Sequence, residues 1–411
     1  MYVQYAEFVL PDPPLLTRKL KRTHLPGTLE KARELRKIYI MKLKPFKLER
    51  YFARYEFSAE YLLSCSDCDG LSQRELVAMA DDALKEMWDR LSLGYTESRG
   101  SPILRSEIAK LYQGIHPDQC LVAAPQEGIL IALNTILQTG GHVICTYPGY
   151  QSLYEVAEGL GCEVTRWEPE EAQGWRFNPD FLEANIRPNT KLIVVNFPHN
   201  PTGYLPSADD FHRIVELARA HDLYLFCDEM YRYLEYDPRD RLPSACELYE
   251  KAVTLFGMSK TFGMAGVRIG WLVTQDGALY QKMAEFKDYT TICSSAPSEI
   301  LSVIALRNRD GIIARHLLRI RRNLGLLDAF FEEYQDTFAW VRPRAGTIAF
   351  PRLKGELSAL DFCQDLVTKA DTMLLPAVVY DYDDSHFRLG FGRENMPAAL
   401  EWLRGYLEAR R

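Results

Sequence analysis

The sequence predicts an α/β fold: a mostly parallel sheet sandwiched by helices in a large domain, joined to a smaller α+β domain. Two observations predict it. From about residue 119, short apolar runs rich in β-branched or aromatic residues alternate with segments of helical periodicity, which is the pattern of βαβ units. After Trp271 the text changes to two long helices, then short strands and a closing helix. The length of 411 residues, with 47% hydrophobic and 26% charged, is ordinary globular composition with room for more than one domain.

Taken in order, residues 1–40 hold eight Lys/Arg and four Asp/Glu, so they carry 8 − 4 = +4 and leave −11 of the net −7 to the rest. With Pro11, Pro13, Pro14 and Pro26, they read as a leader, a disordered extension, or a start codon set too early ahead of Met41. Residues 41–92 read as a lead-in segment that completes part of the small domain. Residues 93–295 form the large domain, with strands expected at 119–123, 142–145, 162–167, 191–196, 223–227, 252–256 and 267–273. Helices are expected between them at 127–137, 152–160 and 208–221. Residues 296–411 supply helices at 298–308 and 311–334, strands near Ile348, Met373 and Phe387, and a helix from Pro397. In a sheet of this kind the working residues sit beyond the carboxyl ends of the strands.

Composition narrows the function classes. An acidic balance of −7 argues against nucleic acid as the main partner. No apolar stretch approaches the roughly 18 residues of a membrane span, and the N-terminus lacks the order of a secretory signal, so a cytoplasmic protein is expected. Nine cysteines, an odd number, many within apolar runs, read as buried thiols of a reducing compartment. Cys65-Ser66-Asp67-Cys68 has no second Cys-x-x-Cys to complete a metal site. A nucleotide-binding loop at Gly257-Met258-Ser259-Lys260-Thr261 fails because the glycine spacing is wrong. A winged-helix regulator fails because 40 residues with four prolines are too few.

Four pieces of the large domain fall where a strand ends: Asn200 in Asn196-Phe197-Pro198-His199-Asn200-Pro201-Thr202-Gly203, Asp228 with Tyr231, Ser259-Lys260, and Arg268. Together they match the demands of pyridoxal phosphate. Covalent attachment of the aldehyde needs a Lys amine that can lose its proton in a shielded site, which Lys260 supplies. The pyridine nitrogen needs a fixed carboxylate, Asp228. The ring oxygen needs donors, Asn200 and Tyr231. The phosphate needs a cation and a helix N-terminus, Arg268 and the turn before Gly128.

The segments Asn200-Pro201-Thr202-Gly203, Asp228-x-x-Tyr231 and Ser259-Lys260-Thr261-Phe262-Gly263-x-Ala265-Gly266-x-Arg268-x-Gly270 resemble the fold-type I, class I/II pyridoxal-phosphate aminotransferases, from about residue 45 to the end. The resemblance implies a transaminase of an L-α-amino acid and a 2-keto acid. It implies that Lys260, Asp228 and Tyr231 are catalytic, with Asn200, Ser259 and Arg268 on the cofactor. It further implies Tyr150 stacked on the ring and the Gln126 and Glu127 backbone at the phosphate. Arg388 in Phe387-Arg388-Leu389 would grip the substrate carboxylate, a planar task suited to Arg. Tyr95 would reach the phosphate of a neighbouring subunit, which implies a homodimer. Two positions depart from the family pattern: Gly257 where a Ser bonds the phosphate, and Pro125 where a residue with an N–H stands. No metal is called for.

The stretches Val194 to Gly203, Lys287 to Thr290 and Pro343 to Arg352 are also similar to capreomycidine synthase-like cyclases acting on hydroxylated arginine. On that alternative, Glu49, Asp67 and Asp69 would hold a guanidinium.

Overall fold

The computed structural model describes residues 41–410; the predicted leader lies outside the described residues. Seven strands form the main sheet: β1 (Cys120–Ala123), β2 (His142–Thr146), β3 (Glu163–Trp167), β4 (Thr190–Asn196), β5 (Tyr224–Asp228), β6 (Ala252–Gly257) and β7 (Gly270–Val273). Their spatial order is β1-β7-β6-β5-β4-β2-β3, parallel except for β7, which runs antiparallel to both β1 and β6.

Apart from the edge strand β3, Glu163–Trp167, which is mostly exposed or half-buried, the strands read as apolar runs because both faces are covered. In β4, Ile193 and Val195 join a core with Phe211 and Ile214 of helix Ala208–Ala220. Leu192 and Val194 point the other way, into a core with Ile131 of helix Pro125–Ile136 and Leu153 of helix Ser152–Gly159. The strand expected at 267–273 begins only at Gly270. Before it, Ala265–Val267 form a 3-10 turn and Arg268 takes a left-handed φ of 56°. That reversal lets β7 enter antiparallel, a direction that an apolar run does not encode.

Beyond the sheet, helices Ala296–Arg307 and Arg309–Glu333 lead to short strands. β8 (Phe338–Ala339) pairs with β10 (Arg352–Leu353), while β9 (Ile348–Ala349), β11 (Leu375–Pro376) and β12 (Phe387–Gly390) form a sheet in the order β11-β12-β9. The strand expected near Met373 thus lies two residues later. Thr372 itself bridges Tyr61, and Met373 N–H donates to the Tyr61 carbonyl at 2.8 Å. Helix Met396–Glu408 closes the chain.

The segment around residues 63–67 lies directly on the end of β12. A Cβ on Gly390 would stand 1.8 Å from the Cys65 carbonyl oxygen, and one on Gly392 would stand 2.3 Å from that of Asp67. Only glycine tolerates this approach, and Gly390 N–H donates to the Leu63 carbonyl across it. The consequence is functional, since it hangs Ser66 and Asp67 over the carboxyl ends of β5 and β6. Cys65 and Cys68 flank them as buried free thiols.

Candidate active site

A cavity of about 430 Å³ opens beyond the ends of β4, β5 and β6. Its wall includes Asn200, Asp228, Tyr231, Ser259, Lys260, Arg268 and Arg388, joined by Gln126, Tyr150 and Glu49. The local structure explains the placement. Asn196 and Asp228 are register partners at the last rung of β4 and β5. The Asn196 side chain donates to the Asp228 carbonyl at 3.0 Å and accepts from Asn200 N–H at 2.7 Å, so the Pro-rich turn is tied to the neighbouring strand end. His199 in that turn meets Thr202 Oγ1 at 2.8 Å, and burial pushes its pKa down to about 3, so it stays neutral and structural.

Asp228 is 5% exposed, and its carboxylate accepts from Met230 N–H at 3.1 Å. Burial outweighs that bond and the Lys260 charge and raises its pKa to about 7. A close cation would stabilise a carboxyl in this state as the anion. Lys260 Nζ donates to Ser66 Oγ at 2.8 Å, and burial draws its amine below the ordinary lysine value, against the pull of Asp67. The Tyr231 hydroxyl is buried on the cavity wall without a hydrogen-bond partner of ordinary geometry, and burial raises its pKa.

Arg388 is 2% exposed and meets only neutral acceptors. Nε and Nη2 donate to the Ser64 carbonyl at 3.2 and 2.7 Å, and Nη1 donates to the Tyr380 hydroxyl at 2.7 Å and Asn200 Oδ1 at 3.3 Å. Tyr380 also donates to Asn200 Oδ1 at 3.2 Å. Two donors on Oδ1 fix the amide orientation and leave Asn200 Nδ2 as the group available to the cavity. Tyr150 packs on Phe46 with ring centroids 5.0 Å apart, and its hydroxyl donates to Glu49 Oε1 at 3.4 Å.

Helix Pro125–Ile136 starts at the cavity with Pro125 in its first turn, so the N–H groups of Gln126 and Glu127 lack intrahelical partners. Glu127 contributes backbone only. Its carboxylate turns away and accepts from Ala124 N–H, Thr290 and Thr291. The two departures at 125 and 257 are in contact: a Cβ on Gly257 would stand 3.3 Å from Pro125 Cγ and 2.8 Å from Gly270 Cα. The proline ring and the β7 backbone occupy the space that a serine there would need.

Tyr95 is 90% exposed and lies outside this cavity, beside Leu84 and Met87. Two expectations are corrected. Asp69 does not line the cavity; it faces Arg319 at 3.6 Å. Asp67 does line it, but its charge is taken by Arg393, with contacts of 3.2 to 3.3 Å. Ser66, Glu56, Tyr380 and Arg393 were not found from sequence. Each comes from a segment whose relevance is set by chain crossing, and no local motif marks them.

The cavity suits pyridoxal phosphate: a buried carboxyl, a buried phenol on the wall, an amine with a lowered pKa, and free N–H groups at a helix start. Comparison with known proteins agrees. Residues 61–402 match the family "Aminotransferase class I and II". The chain belongs to that family, the pyridoxal-phosphate-dependent transaminases. It is 28% identical over 313 residues to aromatic-amino-acid aminotransferase 2 of Thermococcus litoralis, covering 72% of this chain and 78% of that one. It is 26% identical over 349 residues to capreomycidine synthase of Streptomyces vinaceus, covering 84% and 88%. Among solved structures, a PLP-dependent aminotransferase from Streptococcus suis 89-1591 superposes with a TM-score of 0.84 at 30% identity, covering 90% of this chain and 99% of that one. The PLP-dependent cyclase OrfR superposes with 0.82 at 26%, covering 91% and 100%.

Proposed function

We propose that this transaminase moves an amino group from an L-α-amino acid to a 2-keto acid with Lys260 as both cofactor anchor and proton carrier. The bound cofactor supplies an electron sink for the charge left when the Cα proton departs. The observation that carries the reading is Arg388: a buried guanidinium bonded only to neutral oxygens, in the same cavity as Lys260 Nζ. A substrate carboxylate supplies the missing anion, and Arg388 then fixes the Cα–H bond relative to the lysine.

The remaining roles follow from the contacts. Asp228, buried and with its pKa raised, would give a protonated ring nitrogen its counter-charge. Tyr231 and Asn200 Nδ2 donate to the ring oxygen, and Tyr150 covers the ring face. Gln126 and Glu127 N–H, Ser259 and Arg268 hold the phosphate. Arg268 is exposed, and of its donors Nη1 is the one bonded, to the Ala265 carbonyl at 3.0 Å. With the cofactor bound, Lys260, released from Ser66, would be the group that takes the proton from the substrate Cα and carries it. A homodimer that brings Tyr95 to the partner's phosphate, in the cytoplasm, completes the proposal. Its support is the 90% exposure of Tyr95 and the absence, among the described residues, of any helix long and apolar enough to cross a membrane.

The test is to incubate the purified holoenzyme with a panel of amino acids, with and without a 2-keto acid. Pyridoxamine phosphate and a new amino acid are expected. The likeness to a capreomycidine synthase and a cyclase favours a second reading, elimination and ring closure on an arginine-like substrate. A product that keeps its nitrogen and needs no acceptor would establish that reading instead.

A further inference from the structure

One face of helix Lys47–Tyr55 forms the outer wall of the cavity. Leu48, Glu49 and Phe52 line it, followed by Glu56 at the helix end, so an acid, an aromatic ring and a second acid stand in a row at helical spacing. The two acids are about 10 Å apart along the axis, from seven residues at 1.5 Å each. Neither forms an ion pair with a described cation; Glu49 has only the long bond from Tyr150, and Glu56 has no side-chain bond.

The two acids differ in their structural excuse. Glu49 sits in the first turn, where the helix dipole favours a negative charge. Glu56 caps the other end, its N–H donating to the Phe52 carbonyl at 2.8 Å, and there the dipole opposes its charge. Its carboxyl pKa is raised by burial, which outweighs the charge of Arg393, with Glu49 and Asp67 adding to the rise and Lys260 opposing it.

The charges on the wall can be matched. Asp228 answers a protonated ring nitrogen, Arg268 a phosphate, Arg388 a substrate carboxylate, and Asp67 and Arg393 answer each other. Glu49 and Glu56 remain unmatched. We propose that the amino donor carries a cationic side chain, a guanidinium or an ammonium, which lies along Phe52 between Glu49 and Glu56 while Arg388 holds the α-carboxylate. Phe52 lines the cavity between the two acids and supplies the aromatic surface there. This inference rests on the transamination reading of the same cavity.

The test uses the holoenzyme and the change in cofactor absorbance, which reports binding and amino transfer separately. L-arginine is compared with L-citrulline, its neutral isostere, and with L-glutamate and L-phenylalanine. The wild type should favour arginine over citrulline by about tenfold or more in both Kd and kcat/KM, as charge-assisted hydrogen bonds exceed neutral ones. In Glu49→Gln/Glu56→Gln that ratio should fall to about threefold or less. Equal handling of arginine and citrulline, a preference for glutamate or phenylalanine, or a ratio that survives in the double variant would overturn the proposal. If arginine binds with the expected preference and no amino group moves, the substrate class stands and transamination fails. If amino groups move from neutral or acidic donors without preference, the reverse holds.

Discussion

Arg388 offers the sharpest test of the site. A guanidinium has five N–H donors, and four are engaged: two on the Ser64 carbonyl, one on the Tyr380 hydroxyl, and one on Asn200 Oδ1 at 3.3 Å, the longest of the set. A substrate carboxylate therefore meets one free Nη2 donor and displaces the weakest existing bond. Arg388→Lys keeps the charge and loses the fork. One lost hydrogen bond to a charged group is worth about 1.5–3 kcal/mol, or about 10–150-fold in kcat/KM. The assay is the half-reaction with an amino acid and with the amine that lacks its carboxylate, read from cofactor absorbance. The loss should be confined to the amino acid, so that discrimination against the amine collapses. An equal loss for both substrates would refute the carboxylate role and make Arg388 a structural cation. A loss of less than about twofold would refute the donor count.

Lys260→Ala should keep the fold and abolish turnover, and borohydride reduction of the wild type followed by peptide mapping should label Lys260; a label on another lysine sinks the assignment. For Asp228, the pKa is about 7 in the folded protein against 3.8 ordinarily, so between those values the folded chain holds a proton that the unfolded chain has lost. Stability of the cofactor-free protein then falls as pH rises through this window, by up to about 4 kcal/mol. Asp228→Asn should therefore gain melting temperature over wild type on going from pH 5 to pH 8; a constant difference refutes the shift. Gly257→Ser forces a Cβ to 2.8 Å from Gly270 Cα, and overpacking of this kind costs about 1–3 kcal/mol. Pro125→Gly should not restore it fully, because the backbone contact remains, and thermal melting of the single and double variants checks this.

What the sequence determined by itself was whatever is local in the chain. The strands of the main sheet were legible mostly from apolar runs, since burial on both faces leaves an unbroken signature, while the edge strand β3 showed only as a short β-branched and aromatic stretch. Asn200, Asp228, Ser259, Lys260 and Arg268 were legible because each sits within a few residues of a strand end, where turn chemistry and residue type coincide. Tertiary structure decided the rest. The direction of β7 depends on the left-handed turn at Arg268, which any apolar run would accept. The pairing of Asp67 with Arg393, and of Asp69 with Arg319, joins residues some 250 or more positions apart, and it changes which acids in the cavity still carry free charge. Ser66 reaches Lys260 only because Gly390 and Gly392 let one backbone lie on another. Such contacts arise from packing between distant segments, so a side chain's type is written in the sequence while its partner is not.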